Sequence, residues 1–584
     1  VLHSRPTVIN YAGAVLGITA TTDDGATRTA TASTTDIAKI GSIGTTATVN
    51  FPSGHTCEVT VTSATEISYS SSNCGDTGPQ TVATDDANVV VYYGDNGGVF
   101  HAVNGNQTNP PASTLPAPGT ELWGFVPSEQ FNKLNRLRTD SPQLNLPSTP
   151  PGILPEPRKK DYFVDGPTGV YQLLDTNGTT LKAHLYLSMR RGGRMIYALD
   201  VTDPQAPKFL WKVDNTTAGM GELGQTWSMP KVAKVAGYTN PVLIFGAGYD
   251  PNQDVDPPPV DDIMGRGIFV LDAITGAVVW KAVFDAAATS AGDTWTSSGS
   301  PTQASCPSDK LKYSVAADIT LVDRNRDGAI DRMYAADVGG QIWRVDLEPI
   351  NQITPDKWKL HLFATLGECA TGVCRKFFYP PEVITTGTYD AIIAGSGDRE
   401  HPLFNNTAAT GKQNMVFMLK DEVTGNDASG LTAISLAAGD LFNATGTAYD
   451  GSLKGYHIDL ADGEKVVNAP LVTAGFVFFG TNQPSAPTAN SCTASLGTAR
   501  GYRLSPFTAE LSFVVFAGGG LPPSPVSGVV NINVNGVPRL IPFLIGGGNP
   551  DCTGADCASA LGGQKPPIDV STSRIRTYWF QQGK

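Results

Sequence analysis

Apolar and polar positions along this chain alternate with the period of strands, in short runs broken by glycine-containing turns. One pattern returns: a Gly-containing turn, an alternating apolar or aromatic strand, then usually an Asp. It reads "GDNGGVFHAV" at 94–103, "RRGGRMIYALD" at 190–200, "GRGIFVLD" at 265–272, "VGGQIWRVD" at 338–346, "GKQNMVFMLKD" at 411–421 and "ARGYRLS" at 499–505. With Gly193, Gly267, Gly340 and Gly411 as anchors, the copies lie 74, 73 and 71 residues apart. Each has a preceding strand of the type "HLYLSM", "PVLIFGAG", "RMYAAD", "AIIAGSG" or "GFVFFG", and outer strands such as "KFLWKV" or "AVVWKAVF" follow. Strand, turn, strand and outer strand make an antiparallel meander, and a nearly fixed period means stacked or radially arranged units. The predicted class is all-β: a β-propeller with long inter-strand loops.

Residues 12–84 do not fit the repeat. They are dominated by Thr, Ala and Ser with strand-like alternation in "TATVNF" and "CEVTVTSATEISYS", and read as a β-rich insertion within the first blade. Setting those 73 residues aside leaves 511, or about seven units at the observed period. The terminal stretches "VLHSRPTVIN" and "STSRIRTYWFQQ" both look like strands and are expected to complete one blade together, which would remove exposed sheet edges. One helix is expected at 127–139, with Ser128 as N-cap and Phe131, Leu134 and Leu137 along one packed side.

Composition agrees with many short strands: Gly (63) and Pro (42) are abundant and only 16% of residues are charged. The 41 basic and 54 acidic residues give a net charge of −13, and no Lys/Arg block stands out, so nucleic acid is not an expected partner. The longest apolar run, "PLVTAGFVFFG" at 470–480, is too short to span a bilayer. The chain opens in a strand-like segment without a visible signal peptide, so the natural N-terminus is expected upstream. Eight cysteines include three close pairs, Cys57/Cys74, Cys369/Cys374 and Cys552/Cys557. Short Cys-x4-Cys loops can be metal clamps or local disulfides. Zinc sites normally bring two clamps of shorter spacing or neighbouring His, and the seven His here are scattered. Local disulfides and an oxidising compartment are therefore expected, with Cys306–Cys492 left as a weaker fourth pair.

The segment "DRNRDGAID" at 323–331 carries the chemistry. Calcium takes six to eight oxygens, and a loop of the EF-hand kind supplies them from positions 1, 3, 5, 7 and 9 around a glycine at 6. Counting from Asp323 gives Asn325, Asp327, Ala329 through its carbonyl and Asp331, with Gly328 in the sixth place; Tyr334 stands at the twelfth, where a bidentate Glu is usual. A polar turn would use one or two such residues; four in register around a glycine favour a cation. A second acidic run, "DPNQDVD" at 250–256, places Asp250, Asn252, Asp254 and Asp256 alternately but lacks the glycine, and reads as a solvated loop. His101 and His457 read as structural. No Gly-x-Ser-x-Gly, His-Glu-x-x-His or Gly-x4-Gly-Lys motif is present.

The segments "VYYGDNGGVFHAVN", "ELWGFVPSEQ", "DYFVDGPT", "GGRMIYALDVTDP", "LIFGAGYD" and "VDRNRDGAIDRMYAADVGGQIWRVDL" occur in that order. In them the chain resembles the C-terminal propeller domain of the PilY/PilC family, tip-associated adhesins of bacterial type IV pili. The likeness runs from about residue 85 to the end, together with the opening "VLHSRPTV"; the insertion has no counterpart in it. The resemblance implies a non-enzymatic role: pilus biogenesis against retraction, twitching motility and surface attachment, with minor pilins and a surface or host receptor as partners. It implies Ca2+ on Asp323, Asn325, Asp327, Ala329 and Asp331 as a switch, and an extracellular place at the pilus tip or outer-membrane surface, reached through the periplasm. No Arg-Gly-Asp occurs, so an integrin contact is not implied. A rival is a quinoprotein dehydrogenase, also a calcium-using propeller and similar at "VLDAITGAVVW", but such enzymes hold the quinone near a vicinal disulfide and no two cysteines here are adjacent. A generic extracellular binding propeller is the third reading.

Peptide mapping without reduction should recover Cys57–Cys74, Cys369–Cys374 and Cys552–Cys557 as linked fragments; free thiols at all three pairs would overturn the oxidising compartment.

Overall fold

Several strand interiors here are buried on both faces, so they run as nearly continuous apolar stretches instead of the expected alternation. Every residue of Val242–Gly246, Gly267–Asp272, Arg332–Ala336 and Asp390–Gly395 is buried. The computed structural model describes residues 4–11, 15–34, 36–37, 42–50, 56–70, 80–84, 88–109, 113–146, 149–175, 180–255, 261–288, 292–297, 302–306, 310–349, 353–369, 374–405, 407, 411–485, 495–534, 537–548 and 558–564. The chain divides into two compact units, Val1–Lys212 and Val213–Gln581.

The architecture is all-β, built from successive blade-type meanders. The first sheet orders Thr7–Tyr11, Asn88–Gly94, Phe100–Asn104 and Glu121–Phe125; the second orders Thr168–Leu174, Thr180–Ser188, Met195–Asp200 and Lys208–Asp214. The third runs Lys231–Ala233, Val242–Gly246, Gly267–Asp272, Val278–Phe284, with Thr302–Cys306 added in parallel. The fourth runs Thr320–Val322, Arg332–Ala336, Gln341–Asp346, Lys359–Thr365; the fifth Glu382–Thr385, Asp390–Gly395, Met415–Asp421, Gly455–Asp459. In the sixth, Phe476–Gln483, Thr498–Leu504 and Leu511–Phe516 follow one another. The recurring glycine-turn pattern therefore marks the third strand of the first five meanders. Six such sheets and the hairpin Val526–Val534/Val537–Ile545 stand, among the described residues, beside the expected seven or so blades. Residues 571–582, the expected partner of the first strand, lie outside the described residues.

Within the second unit, consecutive sheets pack face to face. Ile244, Val270 and Trp280 of the third meet Met333, Trp343 and Leu360 of or beside the fourth. Tyr334, Ile342 and Phe363 meet Ile392 and Phe417 of the fifth, whose Ile393 and Met418 meet Phe479 and Tyr502 of the sixth.

The insertion forms a closed six-stranded barrel in the order Val15–Asp23, Thr27–Ala32, Glu66–Ser70, Thr56–Ser63, Thr46–Asn50, Gln80–Thr84. Its core includes Ile18, Val49, Val59, Ile67 and Tyr69. Cys57 is disulfide-bonded there, while Cys74 lies outside the described residues. Cys369 and Cys374 are joined, with Cα atoms 4.3 Å apart; Cys492, Cys552, Cys557 and the Cys306 side chain fall outside what is described.

The helix differs from its expected form. A 3-10 turn, Ser128–Gln130, leads into Phe131–Thr139, and the Ser128 hydroxyl donates to Glu129 instead of capping. Phe131 and Leu137 are each 58% exposed, so of the expected stripe only Leu134, half-buried beside Gly98, helps to hold the helix. Cations on its other side do so: Lys133 Nζ donates to the Tyr162 and Gly192 carbonyls at 3.0 and 2.7 Å, and Arg136 donates to four carbonyls and Asp161.

Between the fourth and fifth sheets sits a buried charge network. Arg332 donates to Asp390 at 2.7 Å, and Arg344 donates to Asp346 at 2.8 Å and Asp421 at 2.6 Å; all five side chains are fully buried. Tyr334 donates its hydroxyl to Asp421, and His361 Nε2 lies 3.0 Å from Asp346. Burial alone would raise the Asp346 pKa, but His361 and Arg344 hold it down to about 2. A depressed carboxyl pKa contributes stability above the unfolded value, about 3.9, and loses it as pH falls through the folded value. Asp346→Asn should thus cost about 3–5 kcal/mol near neutral pH; urea titrations of the unsubstituted chain should show stability lost between about pH 4 and pH 2, and the variant should flatten that loss.

Candidate metal centre

Residues 323–331 form the turn of one hairpin, because Thr320–Val322 and Arg332–Ala336 pair with Val322 opposite Arg332. Three bonds hold the base of this turn. Asp331 N donates to the Val322 carbonyl at 3.0 Å, Leu347 N to the Asp331 carbonyl at 3.0 Å, and Ile330 N to the Lys234 carbonyl at 2.9 Å. The tip, Asn325–Gly328, is exposed while Asp331 is 1% exposed. Left-handed backbone at Arg326 (φ 63°) and Gly328 (φ 92°) folds the tip back on itself.

The sequence-predicted donors turn inward onto the loop's own amides. Asp323 accepts from Asp327 N at 3.2 Å and Gly328 N at 2.9 Å. Asn325 Oδ1 accepts from Asp327 N at 2.9 Å, and Asp327 Oδ1 from Ala329 N at 2.8 Å. Asp331 Oδ2 accepts from the Arg324 and Asn325 amides at 3.0 and 3.3 Å. Its other oxygen, Oδ1, is buried and has no hydrogen-bond partner among the described residues. A buried carboxylate oxygen left this way costs on the order of 1–3 kcal/mol, and a cation is what would satisfy it. Burial raises the Asp331 pKa and Asp323 adds to the rise, against the two amides and Arg332.

The neighbouring arginine does not neutralise the loop. Arg324 reaches away to Asp390 and to the Thr386 carbonyl. One acid without a sequence motif also feels the charge of these carboxylates: Glu348, 9% exposed. Burial raises its pKa, and Asp327, Asp331 and Asp323 push in the same direction. No motif in "RVDLEP" marks it, since only strand pairing brings residue 348 beside the hairpin base. With oxygen donors throughout, the loop fits a hard cation rather than zinc or copper.

A different group, Asp346, His361 and Asp427, is the one set of three acidic, His or Cys side chains among the described residues whose ligand atoms lie within 4.8 Å of one another. The loop acids are not so gathered, because each is turned onto an amide. Yet Asp346 already accepts from Arg344, and Asp427 from Lys359 at 2.8 Å. A metal there would have to displace cations that the fold supplies.

The acidic run at 250–254 is not a solvated loop. Asp250 is fully buried and caps the turn Pro251–Asp254, accepting from Asn252 N at 2.9 Å and Ile263 N at 2.6 Å. Asp254 accepts from the Tyr249 hydroxyl, and Asp256 lies outside the described residues. His101 bonds Glu121 and stacks on Tyr93; His457 bonds Asp459. Among the described residues, no helix is long and apolar enough to cross a membrane.

No family model matches the chain. It is 28% identical over 275 residues to the type IV pilus biogenesis factor PilY1 of Pseudomonas aeruginosa (strain UCBPP-PA14), which covers 47% of this chain and 18% of that protein. It is 27% identical over 255 residues to a PilY1 homolog of Xylella fastidiosa, covering 44% of this chain and 16% of that one. The matched stretch thus spans under a fifth of these relatives' length. Among solved structures, the C-terminal domain of Pseudomonas aeruginosa PilY1 aligns over 78% of this chain and 90% of its own, with a TM-score of 0.49 and 19% identity. The chain is a sequence relative of the PilY1-type type IV pilus biogenesis factors, the family to which its motifs pointed.

Proposed function

We propose that this chain is the calcium-binding propeller region of a type IV pilus biogenesis factor that also serves as a tip adhesin and acts without catalysis. It supports pilus extension against retraction, twitching motility and surface attachment, working at the pilus tip or outer-membrane surface through minor pilins. Similarity to the PilY1-type factors over nearly half the chain supports the pilus role. The Cys369–Cys374 disulfide agrees with export through an oxidising compartment.

The observation that carries the calcium reading is the buried, unpartnered Asp331 oxygen at the base of a loop of oxygen donors. Asp323, Asn325, Asp327, Asp331 and the Ala329 carbonyl would hold the ion, whose double charge offsets the repulsion among three carboxylates. Arg332, the next residue after Asp331, is bonded to the fifth sheet through Asp390, so a change in charge at the loop is felt beyond one hairpin. Calcium occupancy is on this reading the switch for pilus extension.

Asp331→Ala should lower calcium affinity substantially in calorimetry while near-ultraviolet circular dichroism shows packed sheets. Asp331→Lys, which sets an ammonium near the ion's position, should behave in twitching assays like the occupied state, and Asp331→Ala like the metal-free one. Unchanged affinity in Asp331→Ala would overturn the site; lowered affinity with both variants fully motile would overturn only the switch. Deletion of the gene should remove surface pili, and disabling retraction should restore them.

A further inference from the structure

The nine-residue loop lacks the bidentate Glu that closes a loop of the EF-hand kind, since Tyr334 occupies that position with its hydroxyl committed to Asp421. The gap lies beside the next strand. Arg332 pairs with Asp346, and Leu347 N donates to the Asp331 carbonyl, so the residue after Leu347 leaves the strand alongside Ile330 at the hairpin base. That residue is Glu348.

Its side chain is nine-tenths buried, an unusual place for a carboxylate outside an ion pair. Oε2 accepts from Asn426 Nδ2 at 3.3 Å. Oε1 is buried and, among the described residues, has no hydrogen-bond partner. Two orphaned carboxylate oxygens, Asp331 Oδ1 and Glu348 Oε1, thus belong to neighbouring residues at the base of one acidic loop, and the charges of Asp323, Asp327 and Asp331 act on Glu348. A guanidinium or ammonium on Glu348 would have answered this; the arginines nearby, Arg324, Arg332 and Arg344, are spent on Asp390, Asp421 and Asp346.

We propose that Glu348 is a further ligand of the loop's cation, supplying from the adjacent strand the carboxylate that the loop itself does not carry. The inference rests on the calcium reading of 323–331 and adds a fourth carboxylate to it, taking a place that water would otherwise fill. Ligand charge count sets calcium affinity across loops of this kind. The added acid also makes the site discontinuous: its ligands come from the first hairpin of the fourth sheet and from the end of that sheet's third strand.

The test uses the full chain and calcium alone, with terbium as a luminescent stand-in. Glu348→Gln keeps the shape and the Asn426 contact but removes the charge. The expected result is one bound ion with affinity lowered at least about tenfold, and a terbium lifetime in light and heavy water that reports one or two more bound waters. A purely structural role for Glu348 would leave that water count unchanged. Equal affinity and equal hydration in Glu348→Gln and the unsubstituted chain would overturn the proposal while leaving the loop site intact. Absence of calcium binding in the unsubstituted chain would overturn both readings. Should Glu348→Gln unfold, Glu348→Asp, which withdraws the carboxylate by one methylene, must show the same gain in hydration or the proposal fails.

Discussion

Arg332 is a fully buried cation, and the arrangement around it could not survive the loss of its partners. Taking a guanidinium out of water costs several kcal/mol unless acids and carbonyls replace the water. Here Asp390 sits on the next sheet, the Gly425 carbonyl accepts from Nη2, and Asp346 and Asp421 stand within 4 Å. Because Arg332 begins the strand that leaves the acidic loop 323–331, the requirement to satisfy it sets where that hairpin stands against the fifth sheet. The loop's position is therefore decided by charge pairing below it as much as by strand pairing within it.

Much of this was legible in the residues. The recurring glycine turn marked the entry to the third strand, while "VLIFG" and "GIFVLD" are buried throughout instead of alternating because both faces of those strands are covered. The loop's alternate acids were legible because their spacing is local. What was hidden depends on distance along the chain. Asp250 looked like a solvated acid, yet its carboxylate caps a turn and binds Ile263 N, thirteen residues away. Phe131 and Leu137 looked like a packed stripe, yet Lys133 and Arg136 hold the helix through carbonyls of a loop that no helical period could reveal. Glu348 was hidden for the same reason.

The two acidic constellations of the fourth sheet illustrate how similar inventories can be answered by different partners. Asp346, His361 and Asp427 are close enough to share an ion, but Arg344 and Lys359 already answer their charge, and the group works as a strut. The acids of 323–331 are farther apart and answered mainly by neutral amides, which leaves net negative charge at the surface. Proximity of ligands and the remaining electrostatic deficit thus point to different places on the same sheet.

The barrel's two connections also matter. Tyr11 and Asn88 stand directly opposite each other on paired strands of the first sheet. The barrel therefore departs from and returns to one point, as an ordinary hairpin turn would. Nothing in the sheet's register records whether two residues or seventy-six intervene, and loop closure grows only slowly with length. The position is a natural port for modular exchange: a module there can be enlarged, trimmed or replaced without retuning the sheet that carries it.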